Sequence, residues 1–202
     1  MLTPATYRRN IRKAWRRSTA ADLAQGLAWY DDALTRVRKA APQLDDEGAA
    51  GVVAALSPMT GWSTNLLTAE KLAALHGAGE EMPTEGYGFK RNTAKAWAIL
   101  EGAHPLDTIK GPKVTAFYHN ILGCDFRVTV DRWAIRIGYF DPDAKTTVGQ
   151  REYDTIAQAF RDVAAELGIT ARQLQAATWV YFRRVHARAI FDPPKLGEEV
   201  IA

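Results

Sequence analysis

Apolar residues recur at helical spacing through almost the whole chain. In residues 4–17, for example, Tyr7, Ile11 and Ala14 share one side of a helix, and the basic residues share the other. No segment sustains the alternation of apolar and polar residues that marks a half-buried strand. The pattern predicts helices over residues 4–17, 20–40, 46–56, 63–75, 90–100, 112–122, 151–167 and 171–188, and one that Val130-Asp131 introduces and that ends at Ile137.

The predicted fold is therefore all-α: a compact, two-lobed helical globule whose helices are shorter than those of a four-helix bundle. Residues 46–56 are small and apolar, which indicates a buried central helix, and Ser57-Pro58 ends it. A short connection with one helical turn precedes Gly111. Along the chain we distinguish three segments: basic N-terminal helices that pack on the body (1–45), the main helical domain (46–190) and a loose tail (191–202).

Composition narrows the class of protein. Hydrophobic residues make up 47% of the 202 residues and charged residues 24%, which excludes bulk disorder. The single cysteine, Cys124, excludes a disulfide framework and a cysteine-held zinc or iron–sulfur site. The four histidines are dispersed, so no metal site is expected. No apolar run is long enough to span a bilayer and no secretory signal is evident, so we expect a cytoplasmic protein, in a bacterial or phage-infected cell.

Charge is distributed unevenly. The formal net charge is +3, yet the first 17 residues contain six basic residues and no acidic one, so the rest of the chain is slightly acidic. A smaller basic cluster comprises Arg183, Arg184, His186 and Arg188. Such clusters suit a polyanion such as the phosphate backbone of DNA. The alternative is a solvated helix face without a partner.

The most informative segment runs from Ile109 to Asp131. Gly111 permits a tight turn, and Pro112 suits the first position of a helix. Lys113 then lies in the first helical turn, where backbone N–H groups and the helix dipole favour a phosphate and disfavour the ammonium form of the lysine. Lys113 is therefore either a phosphate contact or a nucleophilic amine. Asp131 is either a helix N-cap or the partner of that amine, eighteen residues away.

The combination of Gly111-Pro112-Lys113 and Val130-Asp131 resembles the helix-hairpin-helix base-excision DNA glycosylases, the superfamily of endonuclease III and 8-oxoguanine glycosylase. The resemblance covers residues 48–188. It includes the segments Leu56-Ser57-Pro58-Met59-Thr60, Gly88-Phe89-Lys90-Arg91-Asn92-Thr93-Ala94-Lys95-Ala96 and Trp179-Val180-Tyr181-Phe182-Arg183-Arg184. It implies the fold of that superfamily, without the iron–sulfur cluster that its four-cysteine branch carries.

The hairpin departs from the family pattern at two positions. Family hairpins usually read Leu-Pro-Gly-x-Gly before the lysine. Here Ile109 stands at the earlier glycine position, and Pro112 has no backbone N–H to donate. One or more of the phosphate contacts of the family hairpin are therefore not expected here.

The resemblance implies a role for each candidate residue. Lys113 attacks the sugar C1′ and forms a Schiff base, and Asp131 supports the sugar cation and the proton transfers. Contacts to the DNA backbone are expected from Gly111, Lys110, Arg132, Arg8, Arg9, Arg12 and Arg16. The pocket for the flipped base is expected to contain Trp62, Met59 and Trp133. Each has a structural alternative: core packing for the tryptophans and Met59, and a surface ion pair for Arg132.

Three functions remain open from the sequence. The first is a DNA glycosylase, with or without abasic-site lyase activity, that excises a damaged or modified base from double-stranded DNA. The second is a phage-type hypermodification enzyme that joins an amino acid or amine to pyrophosphorylated hydroxymethyl-thymine in DNA. The third is a DNA-binding protein without catalysis. None of the three requires a cofactor, a membrane or an obligate protein partner.

Overall fold

A computed structural model describes residues 1–186, and every regular element within them is an α-helix. The predicted all-α class is thus confirmed. The helices are α1 (Pro4–Arg17), α2 (Ala20–Ala40), α3 (Asp46–Leu56), α4 (Trp62–Gly77), α5 (Lys90–Leu100), α6 (Pro105–Thr108), α7 (Pro112–Ile121), α8 (Arg132–Tyr139), α9 (Gln150–Leu167) and α10 (Ala171–His186).

The chain forms two compact units. The central unit is Asp31–Gly123. The terminal unit combines Met1–Tyr30 with the residues from Cys124 onward. The first half of α2 belongs to the terminal unit and the second half to the central unit. The predicted segments 1–45 and 46–190 are continuous stretches of sequence, whereas the terminal unit joins residues from both ends of the chain. The predicted tail, 191–202, lies outside the described residues.

The terminal unit is built from α1, the first half of α2, and α8 to α10. The helix α1 packs on α8, α9 and α10, and its apolar stripe of Tyr7, Ile11 and Ala14 is completely buried. Thr170 caps α10 reciprocally with Gln173: the backbone N–H of each residue donates to the side-chain oxygen of the other. The ends of the helices are therefore encoded locally, and burial of the apolar stripe stabilises their packing.

Polar groups inside the terminal unit have partners. Asp22, only 3% exposed, accepts two hydrogen bonds of 2.7 Å from the guanidinium of Arg184. Burial opposes ionisation of Asp22, but the bonds from Arg184 and Thr19 outweigh it and lower the pKa of this carboxyl. One member of the basic cluster near the C-terminus is therefore a structural partner of α2.

The central unit is organised around α3. This helix contacts α4, α5, α6 and α7, and all its residues from Ala49 to Leu56 are buried. Asp45 caps it by accepting a hydrogen bond from the N–H of Gly48. A Cβ atom on Gly51 would lie 2.7 Å from the ring of Pro105, so the absence of a side chain lets α6 approach α3 closely. The predicted buried central helix is confirmed, and α6 packs directly against it.

Most predicted helix boundaries agree with the structure to within a few residues. Those of α1, α2, α3 and α5 coincide with it. The helix α4 begins at Trp62 and ends at Gly77, and α8 continues to Tyr139, where Phe140 closes it in a left-handed conformation. The last two residues predicted for α10 lie outside the described part of the chain.

Residues 1–186 contain neither a membrane-spanning helix nor a cluster of metal-ligating side chains. No helix in this range is long and apolar enough to cross a membrane. Nor does this part of the chain bring together three or more His, Cys, Asp or Glu side chains that could hold a metal ion.

Candidate functional site

A helical hairpin in the central unit carries the candidate lysine. It consists of the single turn α6, the residues Ile109, Lys110 and Gly111, and the longer helix α7. His104 caps α6 through Nδ1, which accepts from the N–H of Leu106, and the N–H of Ile109 donates to the carbonyl of Pro105 at 2.8 Å. The side chain of Ile109 is 2% exposed and anchors the turn in the core.

Gly111 makes the sharp turn into α7. Its backbone has φ 93° and ψ 144°, a conformation that residues with a side chain rarely adopt. Pro112 follows as the first helical residue, and no side chain caps the N-terminus of α7. The local sequence Gly-Pro-Lys therefore produces the predicted geometry, in which the first turn of the helix keeps free backbone donors.

Lys113 is the second residue of α7 and is half-buried. Within residues 31–123 its ammonium group forms neither an ion pair nor a hydrogen bond. A lysine held at the start of a helix and without a carboxylate partner in its own unit can contact a phosphate or act as an amine.

Two residues of the predicted base pocket lie in the same unit as Lys113. The Trp62 ring packs edge-on against Phe117, with centroids 6.3 Å apart, and Phe117 is one helical turn beyond Lys113 on α7. Met59 lies in the turn after α3, has a left-handed backbone with φ 64° and is 71% exposed. Met59 is therefore a large apolar side chain exposed at a strained turn, whereas Trp62 is part of the packing.

Asp131 lies in the terminal unit and is the N-cap of α8. Its Oδ1 accepts hydrogen bonds from the N–H groups of Trp133 at 2.9 Å and Ala134 at 2.8 Å. The preceding segment is held by Tyr153, whose hydroxyl donates to the carbonyl of Val128 and accepts from the N–H of Val130. Burial raises the pKa of Tyr153 to about 12, so this anchor stays protonated.

The capping role of Asp131 is thus part of the structure. The predicted pair has one member in each unit, and the facing of Lys113 and Asp131 remains a prediction. Arg132 and Trp133 follow Asp131 in α8 and are half-buried. Trp133 packs against the core of the terminal unit, and the guanidinium of Arg136 lies 5.2 Å from the centre of its ring.

The four arginines of α1 that were predicted to contact DNA differ in their surroundings. Arg8 forms an ion pair of 3.0 Å with Asp162. Arg12 makes two hydrogen bonds of 2.7 Å with Glu166, which raise the pKa of the arginine and lower that of the carboxyl.

Arg9 and Arg16 are exposed and form no ion pair within the described residues of their unit. The cationic surface of α1 is therefore smaller than the sequence suggests, because α9 neutralises part of it.

Comparison with known proteins assigns the chain to a protein family. A model of a family of unknown function, DUF7178, matches residues 1–186. The chain belongs to DUF7178. No curated protein and no solved structure matches it.

Sequence reasoning missed two basic residues of this DUF7178 protein. Arg91 and Lys95 lie four residues apart in α5 and line the same cavity as Lys110 and Gly111 of the hairpin. The signal was present in the segment Gly88–Ala96, where two cations recur at a helical spacing, but nothing in the sequence places α5 next to the hairpin.

Proposed function

We propose that this protein is a DNA glycosylase that excises a damaged or modified base from double-stranded DNA, with Lys113 as its reacting amine. The observation that carries the proposal is the hairpin of α6 and α7. It presents Lys113 in an uncapped first helical turn, with no carboxylate partner in its own unit. The resemblance to helix-hairpin-helix glycosylases rests on the same residues.

The chemistry proposed for Lys113 is a substitution at the sugar. The neutral Nζ attacks C1′ of the flipped nucleotide, and the bond from C1′ to the base breaks. The base leaves with the bonding electron pair and takes up a proton. The amine then loses one proton, and the C1′–O4′ bond breaks: its electron pair goes to O4′, which takes up a proton, and a protonated Schiff base forms between Lys113 and C1′. The Asp131 carboxylate stabilises the positive charge that develops on the sugar.

The remaining residues bind and position the DNA in this proposal. Met59, exposed in the turn after α3, belongs to the pocket that receives the flipped base, where its apolar side chain contacts the base. Arg9 and Arg16 supply contacts to the backbone that do not depend on sequence. The enzyme would act in the cytoplasm of a bacterial or phage-infected cell.

Borohydride trapping tests the proposal. The protein is incubated with duplexes that contain an abasic site or one of a panel of modified bases, and the Schiff base is reduced to a stable secondary amine. We expect a covalent protein–DNA adduct with the native chain and none with Lys113→Gln. Lys71→Gln removes an exposed lysine from α4 of the same unit and should leave the adduct unchanged.

Analysis of the released bases completes the test. A free base without a trapped adduct would indicate a glycosylase that uses water in place of the lysine amine, and the role of Lys113 as nucleophile would be rejected. A heavier nucleoside in the digested DNA would favour base hypermodification instead. The proposed function fails if neither adduct nor free base forms across the panel.

A further inference from the structure

An open cavity of about 350 Å³ lies at the surface of the central unit, beside the hairpin. The end of α3, the start of α5 and the hairpin form its walls. Ala55 and Ile109, both buried, contribute apolar surface, and Pro58 and Val114 extend it. The volume lies at the small end of the range typical of ligand pockets. It can therefore receive one compact chemical group, whether free or part of a larger ligand.

The polar lining of this cavity consists of basic and amide side chains. Arg91 and Lys95 come from α5, Lys110 comes from the hairpin, and Asn92 adds an amide; no carboxylate lines the cavity. Arg91 and Lys95 are one turn apart on the same side of α5, so their charges repel each other. Such a lining disfavours a cation and favours an anion.

These two cations are not neutralised by the protein within their unit. Neither Arg91 nor Lys95 forms an ion pair in residues 31–123, whereas Arg38 of the same unit binds Asp46 through two hydrogen bonds of 2.7 and 2.8 Å. Lys110 donates to the carbonyl of Leu106, a neutral acceptor, and so keeps its charge at the cavity. In the central unit, Arg38 is therefore neutralised by a carboxylate, whereas the three cations that line the cavity keep their positive charges.

The hydrogen-bonding groups that line the cavity also favour an anion. A guanidinium, two ammonium groups and an amide NH₂ are all donors, which suits the oxygen atoms of a phosphate group. The uncapped first turn of α7, entered through Gly111, lies at the same cavity. Because Pro112 has no N–H, the backbone of this turn offers one donor fewer than a non-proline residue would give, and the side chains of α5 add donors at the same cavity.

We infer that this cavity binds a phosphoryl group and that Arg91 and Lys95 of α5, together with Lys110, hold it. The inference rests on the proposed function only for the source of the phosphate, which is then the backbone of the DNA substrate. A small phosphorylated molecule has the same chemistry, and the experiment below separates the two sources.

The first arm of the experiment measures binding to a DNA duplex over a range of salt concentrations. Arg91→Gln/Lys95→Gln should weaken binding about tenfold or more near 100 mM salt and lower the slope of log K against log[salt] by about 1 to 2. Lys39→Gln/Lys71→Gln removes two exposed lysines from the same unit and is the charge-matched control, with a smaller effect on both quantities. The exchange Arg91→Lys/Lys95→Arg keeps the charge and should restore most of the affinity.

The second arm titrates inorganic pyrophosphate into the same proteins by calorimetry. Binding to the native chain that Arg91→Gln/Lys95→Gln abolishes, together with DNA affinity that this variant leaves unchanged, would assign the cavity to a small phosphorylated ligand. The inference is overturned if the cavity variant and the control behave alike in both arms. Circular dichroism and thermal melting of each variant verify that it is folded.

The proposed function is judged separately by base release. A cavity variant that behaves like the control toward both DNA and pyrophosphate, while the native chain still releases a base, would reject the inference and leave the glycosylase proposal intact. Conversely, if the cavity binds pyrophosphate and no base is released, the inference of a phosphoryl-binding cavity stands and the proposed glycosylase function is rejected.

Discussion

At the scale of single residues, one side chain often serves the fold and the proposed chemistry together. Asp131 is an N-cap with two backbone hydrogen bonds, and in the proposal its carboxylate also stabilises charge on the sugar. These two roles need different properties of the side chain. Capping needs an oxygen acceptor, which an amide also provides, whereas charge stabilisation needs a carboxylate.

Substitutions at Asp131 should therefore separate stability from activity. Asp131→Asn keeps an acceptor at the N-cap and should change the free energy of unfolding by less than about 0.5 kcal/mol, while Asp131→Ala should lower it by about 1 kcal/mol. If the proposal is right, both variants lose base release to a similar extent. Urea unfolding and the base-release assay measure the two effects, and an active Asp131→Asn variant would remove Asp131 from the chemistry.

Glu152 gives a residue-scale prediction for acid stability. This carboxylate is 8% exposed and accepts hydrogen bonds from Tyr7, Tyr139 and Lys145, at 2.7, 2.6 and 2.6 Å. Burial alone would raise the pKa of Glu152, but the bonds from Lys145, Tyr139 and Tyr7 outweigh burial and hold the pKa at about 2. The ionised form is thus favoured more strongly in the folded protein than in the unfolded chain.

The sign of the pH dependence follows from this lowered pKa. The stabilisation is complete above the ordinary pKa of a glutamate and disappears as the pH falls from there to about 2. Relative to Glu152→Gln, the native protein should lose on the order of 3 kcal/mol of unfolding free energy over that interval. Urea titrations at pH 7, 4, 3 and 2 measure it, and parallel curves for the two proteins would contradict the prediction.

At the scale of helices, the position of the hairpin depends on a close contact between α3 and α6. Gly51 faces the ring of Pro105, and a proline ring cannot swing away as the end of a long side chain can. The small residue on α3 therefore fixes how α6, and after it the turn at Gly111, rests on the central helix.

We expect Gly51→Ala to destabilise the protein by about 1 to 3 kcal/mol, because the added methyl overpacks this contact. Gly77→Ala is the matched control: no atom lies within 4 Å of the position a Cβ would take there. Thermal melting of both variants measures the difference. Equal melting temperatures would show that α6 can shift without cost.

The sequence alone predicted where most helices begin and end, but it did not predict which residues of different helices contact each other. Pro4, Pro112 and the capping pair around Thr170 are local signals, so the ends of α1, α7 and α10 could be read from a few residues. The pairing of Arg12 with Glu166 joins residues 154 apart and left no local signal. The same holds for Arg91, whose place beside the hairpin depends on how α3 supports both α5 and α6.

At the scale of the whole molecule, the distribution of charge should govern affinity for DNA. Since Arg8 and Arg12 are already bound to carboxylates of α9, the exposed Arg9 and Arg16 are better placed to release counterions from a duplex. The formal charge of the first helix therefore overstates its contribution.

Two double variants of α1 with equal charge test this view. Arg9→Gln/Arg16→Gln should lower the salt slope of DNA binding by about 1 to 2, with little change in stability. Arg8→Gln/Arg12→Gln should change the slope less and lower the unfolding free energy by about 0.2 to 1 kcal/mol for each exposed ion pair. Filter binding over a salt series, with urea unfolding, distinguishes the pairs, and identical slopes would refute the distinction.

The burial of Tyr7, Ile11 and Ala14 limits how the basic N-terminus can be studied. Truncating the gene to remove α1 would uncover an apolar trough on α8, α9 and α10, and the shortened polypeptide would be prone to aggregate. Loss of DNA affinity in such a deletion would then report misfolding, not missing charge. The charge of this region should therefore be removed by substituting exposed cations such as Arg9 and Arg16, which leaves the apolar stripe of α1 in place.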